Sequence, residues 1–194
     1  MAKIHLVRHG KTLANEKKLY CGETNLPLSE NGGKEIEFFK NQGLYPNADI
    51  FFTSGLLRAG QTVDIIYGET DKKAVSDIAE YKFGQFEMKS YEELKEKNEY
   101  QAWITDDSGE IQCPNGESKN QFETRVIKGY TQIVNDVSKL GDCSAFVSCH
   151  GGVIAIIMEY LIPNLKNFYE WQPKPGRGYT LCYVSERFHI YNNI

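Results

Sequence analysis

Two rhythms of apolar residues alternate along the chain. The short runs KIHLV (3–7), DIFFT (49–53) and SAFVSC (144–149) are rich in β-formers and read as strands. Between them the spacing changes to three or four residues. Ser29 is placed to N-cap a helix that Gly43 ends, and Leu57, Val63, Ile66 and Tyr67 mark a second helix before Gly68. SYEELKEKN (90–98) opens with a capping box, Ser90 and Glu93, and its charges predict an exposed helix face. A second box, Ser118 with Gln121, starts the longest helix, whose Phe122, Val126, Tyr130, Ile133 and Val137 form one apolar face as far as Gly141. GGVIAIIMEYLI runs helically until Pro163, and two strands near 179–184 and 187–191 close the chain.

Strands alternating with helices predict an α/β fold, a three-layer α/β/α arrangement around a mostly parallel central sheet. The 194 residues are enough for one such domain, 1–194, with the polar run 105–118 as a loop inside it.

Charge narrows the range of partners. Lys and Arg number 22 against 26 Asp and Glu, and this mildly acidic balance argues against nucleic acid or an anionic membrane as the main partner. An anionic ligand would have to be held by local positive charge. Arg8 and His9 interrupt the first apolar run too early for a signal peptide, and Cys143–Met158 is too short to span a membrane. Cys21, Cys113, Cys143, Cys149 and Cys182 are odd in number and lack a CxxC pair, which fits reduced thiols. A cytoplasmic protein is expected.

Local positive charge is found where strands end. KIHLV runs into Arg8-His9-Gly10, DIFFT into Ser54 and then Arg58, and SAFVSC into His150-Gly151-Gly152. In open α/β sheets, sites lie beyond the carboxyl ends of the strands. If these strands are parallel neighbours, two arginines, two histidines and the free N–H groups of a helix N-terminus at Gly151 surround one small volume. The ligand suited to it is a phosphate. His9 can attack phosphorus as a neutral imidazole, while Arg8, Arg58 and His150 donate to the equatorial oxygens. A departing alkoxide needs a proton, and Glu80, Glu87, Glu23 and Glu117 are all candidates. A metal site built from His9, His150 and Cys149 is disfavoured, because no pair has ligand spacing. His5 and His189 are read as structural, and Trp103 and Tyr100 as packing aromatics.

LVRHGKTLAN, the arginine in TSGLLRAGQT, EYKFGQFE and SCHGG together resemble the motifs of the histidine phosphatase superfamily, the phosphoglycerate-mutase-like fold, in order from residue 3 to about 160. The resemblance implies that His9 becomes phosphorylated. It also implies that Arg8, Arg58 and His150 bind the phosphoryl group, that Asn15 joins them, and that Glu80, four residues before Gly84, is the proton donor. Glu87 is then a loop-ordering residue. Tyr20, Cys21 and Gly22, in the loop after the nucleophile, are taken with Gly151 as substrate contacts. No cofactor or metal is implied, and the partner is a small phosphorylated metabolite. The insertions and the RHYG-type motif of cofactor-dependent mutases are missing, which favours a phosphatase. YCGETNLPLS, FGQFEM and PNGES look most like the branch acting on alpha-ribazole phosphate in the late cobalamin pathway, with sugar bisphosphatases and mutases as alternatives. A non-catalytic phospho-ligand-binding protein is the reading from another class.

Overall fold

The computed structural model describes residues 2–184 and 187–194. Strand β1 (Lys3–Arg8) leads through a one-turn helix, α1 (Leu13–Glu16), to α2 (Glu30–Asn41), which Ser29 caps by accepting from the Gly32 N–H. β2 (Ile50–Thr53), α3 (Leu57–Tyr67) and β3 (Lys72–Ala74) follow, then two short helices, α4 (Tyr91–Leu94) and α5 (Asn98–Ile104). The Ser118–Gln121 box opens α6 (Lys119–Lys139), and β4 (Ser144–Cys149) passes directly into α7 (Gly151–Leu161). α8 (Phe168–Trp171), β5 (Gly178–Val184) and β6 (Arg187–Asn193) complete the chain.

The six strands form one sheet in the order β3-β2-β4-β1-β5-β6, parallel from β3 to β1 and antiparallel where β5 and β6 are added. Period-two alternation decides which side chains face which helices. Ile4 and Leu6 of β1 and Ala145 and Val147 of β4 pack with α6 and α7, whereas Val7 and Phe146 pack with Ile36 of α2 and Val63 of α3. All of these are fully buried, and each large aliphatic contributes about 1.5–3 kcal/mol of transfer free energy. The three-layer arrangement therefore follows from strands that are apolar on both faces.

Three local features depart from the sequence reading. The helix opened by Ser90 keeps its capping box but ends at Leu94, and a second helix starts only at Asn98. Leu57 has the spacing of the α3 apolar stripe but sits in the first turn at 49 % exposure, while Arg58 beside it is buried. β3 was not foreseen, because Lys-Lys-Ala carries no strand-forming signal and owes its pairing to β2.

Register places the site. Arg8 lies opposite Cys149 and Thr53 opposite Ser148, so β1, β4 and β2 end almost level and His9, His150 and Ser54 emerge side by side.

His5 lies at the other end of β1, buried between two hydroxyls, with Nδ1 2.8 Å from Thr180 Oγ1 and Nε2 2.8 Å from Ser144 Oγ. Burial, helped by the Lys3 charge, pushes its pKa down to about 4, below the ordinary 6.5. The unfolded chain therefore binds a proton that the folded one refuses between those values. Stability is full above about pH 6.5 and falls as pH drops towards 4, a contribution on the order of 2–3 kcal/mol. Urea midpoints should drop less between pH 7 and 4.5 in His5→Gln than in the wild type. Equal drops would remove His5 from the account.

Candidate active site

His9 follows β1 and is 5 % exposed, with its backbone N–H held by the Cys149 carbonyl at 2.9 Å. Its ring Nδ1 lies 2.6 Å from the Gly10 carbonyl oxygen, which can only accept, so Nδ1 carries the proton and Nε2 the lone pair. Burial, then the Arg58 and Arg8 charges, hold the imidazole well below its ordinary pKa. The result is a neutral ring with one available nitrogen.

His150, fully buried, N-caps α7 with its backbone and lies edge-on to His9, ring centroids 5.0 Å apart. It too is held neutral, by burial first and then by His9 and the two arginines. Nε2 is 2.8 Å from Ser54 Oγ, whereas Nδ1 has no hydrogen-bond partner. The Ser54 oxygen also accepts from the Leu56 N–H, so its own proton is free to be given to Nε2. That arrangement leaves Nδ1–H as a buried, unsatisfied donor.

Arg8 is fixed by one donor, Nη1 to the Pro173 carbonyl at 2.9 Å, and its buried Nε has no partner. Gly151 lies flat against it; a Cβ there would approach Arg8 Cζ to 3.1 Å. Arg58, 1 % exposed, spends one N–H on the Gly22 carbonyl (2.8 Å) and one on Thr24 (2.9 Å). Thr62 supports both sides of the pocket, donating to the Arg58 carbonyl and accepting from the Gly10 N–H. Burial pulls both guanidinium groups down from their ordinary values, and the Glu80 charge works against this in each.

The four candidate acids separate by what they accept. Glu80 lies at the start of α7, Oε2 3.1 Å from the Gly152 N–H, with Oε1 accepting from the Tyr81 N–H at 3.0 Å. A Cβ on residue 152 would come within 2.5 Å of Oε1, so glycine is what allows this approach. Glu87 accepts from the backbone N–H groups of Gly22, Glu23, Thr24 and Phe83 and from the Thr24 hydroxyl, which orders the loop as expected of it. Glu117 is paired with Arg125, and Glu23 with Lys82 at the surface.

Asn15 Oδ1 accepts from the Thr12 N–H and hydroxyl, closing a capping box and leaving the amide NH₂ as its free end. Gly22 has both backbone polar groups committed inside the protein, to Glu87 and Arg58. Cys21 lies 3.6 Å from the Thr24 carbonyl with its thiol pushed up by burial. Tyr20 is half-buried, its hydroxyl 2.6 Å from that of Tyr100 and its ring among Phe83 and Trp103. The structure thus brings His9, His150, Arg8, Arg58, Glu80 and Gly151 together and puts Tyr20, Cys21 and Gly22 in the adjoining loop. Ser54, Thr62 and Arg125 were missed by sequence reasoning. Ser54 carried a signal, its place at a strand end, but its partner lies 96 residues away. Among the described residues no group of three His, Cys, Asp or Glu could hold a metal ion, and no helix is long and apolar enough to cross a membrane.

The model of the histidine phosphatase superfamily (branch 1) matches residues 4–192. The adenosylcobalamin/alpha-ribazole phosphatase of Salmonella typhimurium is 27% identical over 165 residues, 82% of this chain and 79% of that protein. A 2,3-bisphosphoglycerate-dependent phosphoglycerate mutase of Bradyrhizobium diazoefficiens is 30% identical over 172 residues, 82% of each. The crystal structure of the alpha-ribazole phosphatase from Shigella flexneri superimposes with a TM-score of 0.85 at 21% identity, covering 97% of this chain and 94% of that one, a likeness of fold.

Ser54→Ala should remove the proton that fixes the His150 tautomer. Imidazole ¹⁵N spectra should show Nδ1–H at His150 in the wild type and a mixture of tautomers in the variant. Affinity for inorganic phosphate should fall about tenfold, the loss of roughly one hydrogen bond to a charged group. An unchanged spectrum would remove Ser54 from this role.

Proposed function

The chain belongs to branch 1 of the histidine phosphatase superfamily, a group of phosphatases and mutases, and from that premise we propose that it hydrolyses small phosphomonoesters through a phosphohistidine on His9. One observation carries the reading: two buried donors without acceptors, Arg8 Nε and His150 Nδ1, in the site that holds the free Nε2 of His9. Buried polar groups are nearly always satisfied, so these orphans ask for an acceptor-rich anion.

The cycle has two halves. His9 Nε2 forms a bond to phosphorus as the ester P–O bond breaks, and Glu80 gives its proton to the leaving oxygen. The three equatorial oxygens gather charge and take hydrogen bonds from Arg8, Arg58, His150 and the Asn15 amide. Water then attacks phosphorus, its proton passing to Glu80, and the N–P bond breaks to release phosphate and a neutral His9. The arginines supply the positive charge that a metal ion supplies elsewhere, so the reaction proceeds without one.

The first substrate to test is alpha-ribazole 5'-phosphate, from the relatives and from the motifs of the first loop. Phosphoryl transfer between phosphoglycerates is the second reading, supported by the mutase relatives of equal coverage. We take residues 1–194 as one catalytic domain working in the cytoplasm.

His9→Ala should abolish a phosphoenzyme trapped by alkaline quench and stable to base. Glu80→Gln should lower turnover by about 10²–10⁴ and Glu87→Gln by much less; the opposite order would move the acid. Activity on p-nitrophenyl phosphate and the two metabolite classes should survive a chelator. Tight phosphate binding with no turnover of any ester would favour the binding protein.

A further inference from the structure

Arg125 lies outside the phosphate site, on α6, and every one of its five N–H groups is used. Nε and Nη2 bind the Glu117 carboxylate at 2.9 and 2.6 Å. Nη1 donates to the carbonyls of Asp77 (3.0 Å) and Ala79 (2.6 Å), and Nη2 to that of Glu80 (2.8 Å). Glu117 extends the grip by accepting the Lys82 N–H at 2.8 Å. The backbone is thereby held at residues 77, 79, 80 and 82, on both sides of the side chain that reaches Gly152.

The seating is tight. The guanidinium stacks over Phe122, 4.9 Å from its ring centre, and Arg125 and Glu117 keep 16% and 8% of their side-chain surface. One turn along α6, Gly129 admits the same segment; a Cβ there would lie 2.8 Å from Asp77 Cβ. A planar fork with fixed donors can hold three carbonyls and a carboxylate at once, which a lysine ammonium cannot.

We propose that Arg125, locked by Glu117, is a positioning residue for proton donation: it fixes the backbone that carries Glu80, so the carboxyl stands at the leaving oxygen. This rests on Glu80 being the donor. A bond to a good leaving group breaks without help, whereas a poor one needs the proton, so a misplaced donor harms poor leaving groups selectively.

The test is kcat/KM across substituted phenyl phosphates, from p-nitrophenyl to phenyl, for the wild type, Arg125→Lys, Glu80→Gln and the double variant. In Arg125→Lys, phenyl phosphate should lose at least about tenfold more than p-nitrophenyl phosphate, a fraction of what a general acid supplies. In the Glu80→Gln background the same change should add no further steepening. A uniform fall across the series, or steepening that persists without Glu80, overturns the proposal. A shallow series in Glu80→Gln alone would instead show that Glu80 is not the donor, and the proposal falls with that reading. Should Arg125→Lys not fold, Glu117→Gln answers the question, since glutamine keeps an acceptor for the Lys82 N–H while losing the charge that locks the fork. It too should steepen the series, and a parallel fall overturns the proposal.

Discussion

Positive charge buried without an ion pair is the constraint that the rest of this molecule serves. Among the described residues neither Arg8 nor Arg58 has a carboxylate at ion-pair distance; their fixed donors go to the carbonyls of Pro173, Gly22 and Thr24. A carbonyl offers partial charge only, so those donors are satisfied while the net charge stands. The neighbouring imidazoles, held neutral by burial first and then by these charges, are in the state a nucleophile needs and the state in which His150 still has a ring N–H to give. A phosphate arriving here meets a field that no ion pair has cancelled.

The nearby carboxylates are then placed so that none of them pairs with either arginine. Glu87 and Glu117 are the same residue type as Glu80, but one is spent on loop N–H groups and the other on Arg125. Of these three, Glu80 is the one that accepts from the start of α7. The division of labour lies in the backbone groups each carboxylate meets, and the residue type alone does not announce it.

That explains which parts of the chain could be read in advance. Caps are local, so Ser29, Ser90 and Ser118 marked their helices from sequence. Strand ends were readable because apolar runs stop where polar residues begin, and parallel register converted three such ends into one place. What escaped was decided at long range. Arg125 finds its carbonyls 45 to 48 residues away. β3 exists because β2 offers an edge, and Leu57 faces outward because Arg58 must face in.

The short strand β3 has a bearing on how copies of the molecule meet. Three residues long, with Lys72 and Lys73 engaged by Asp64 and Asp136, it closes the parallel side of the sheet with little free backbone and two cations. Such an edge resists the addition of a foreign strand. Among the described strands, β6, with seven residues, is the margin long enough to accept one, so sheet-to-sheet association of two copies would extend from the antiparallel side. The strand ends that carry His9 and His150 lie inside the sheet, on β1 and β4, and would keep their mouth open in that assembly.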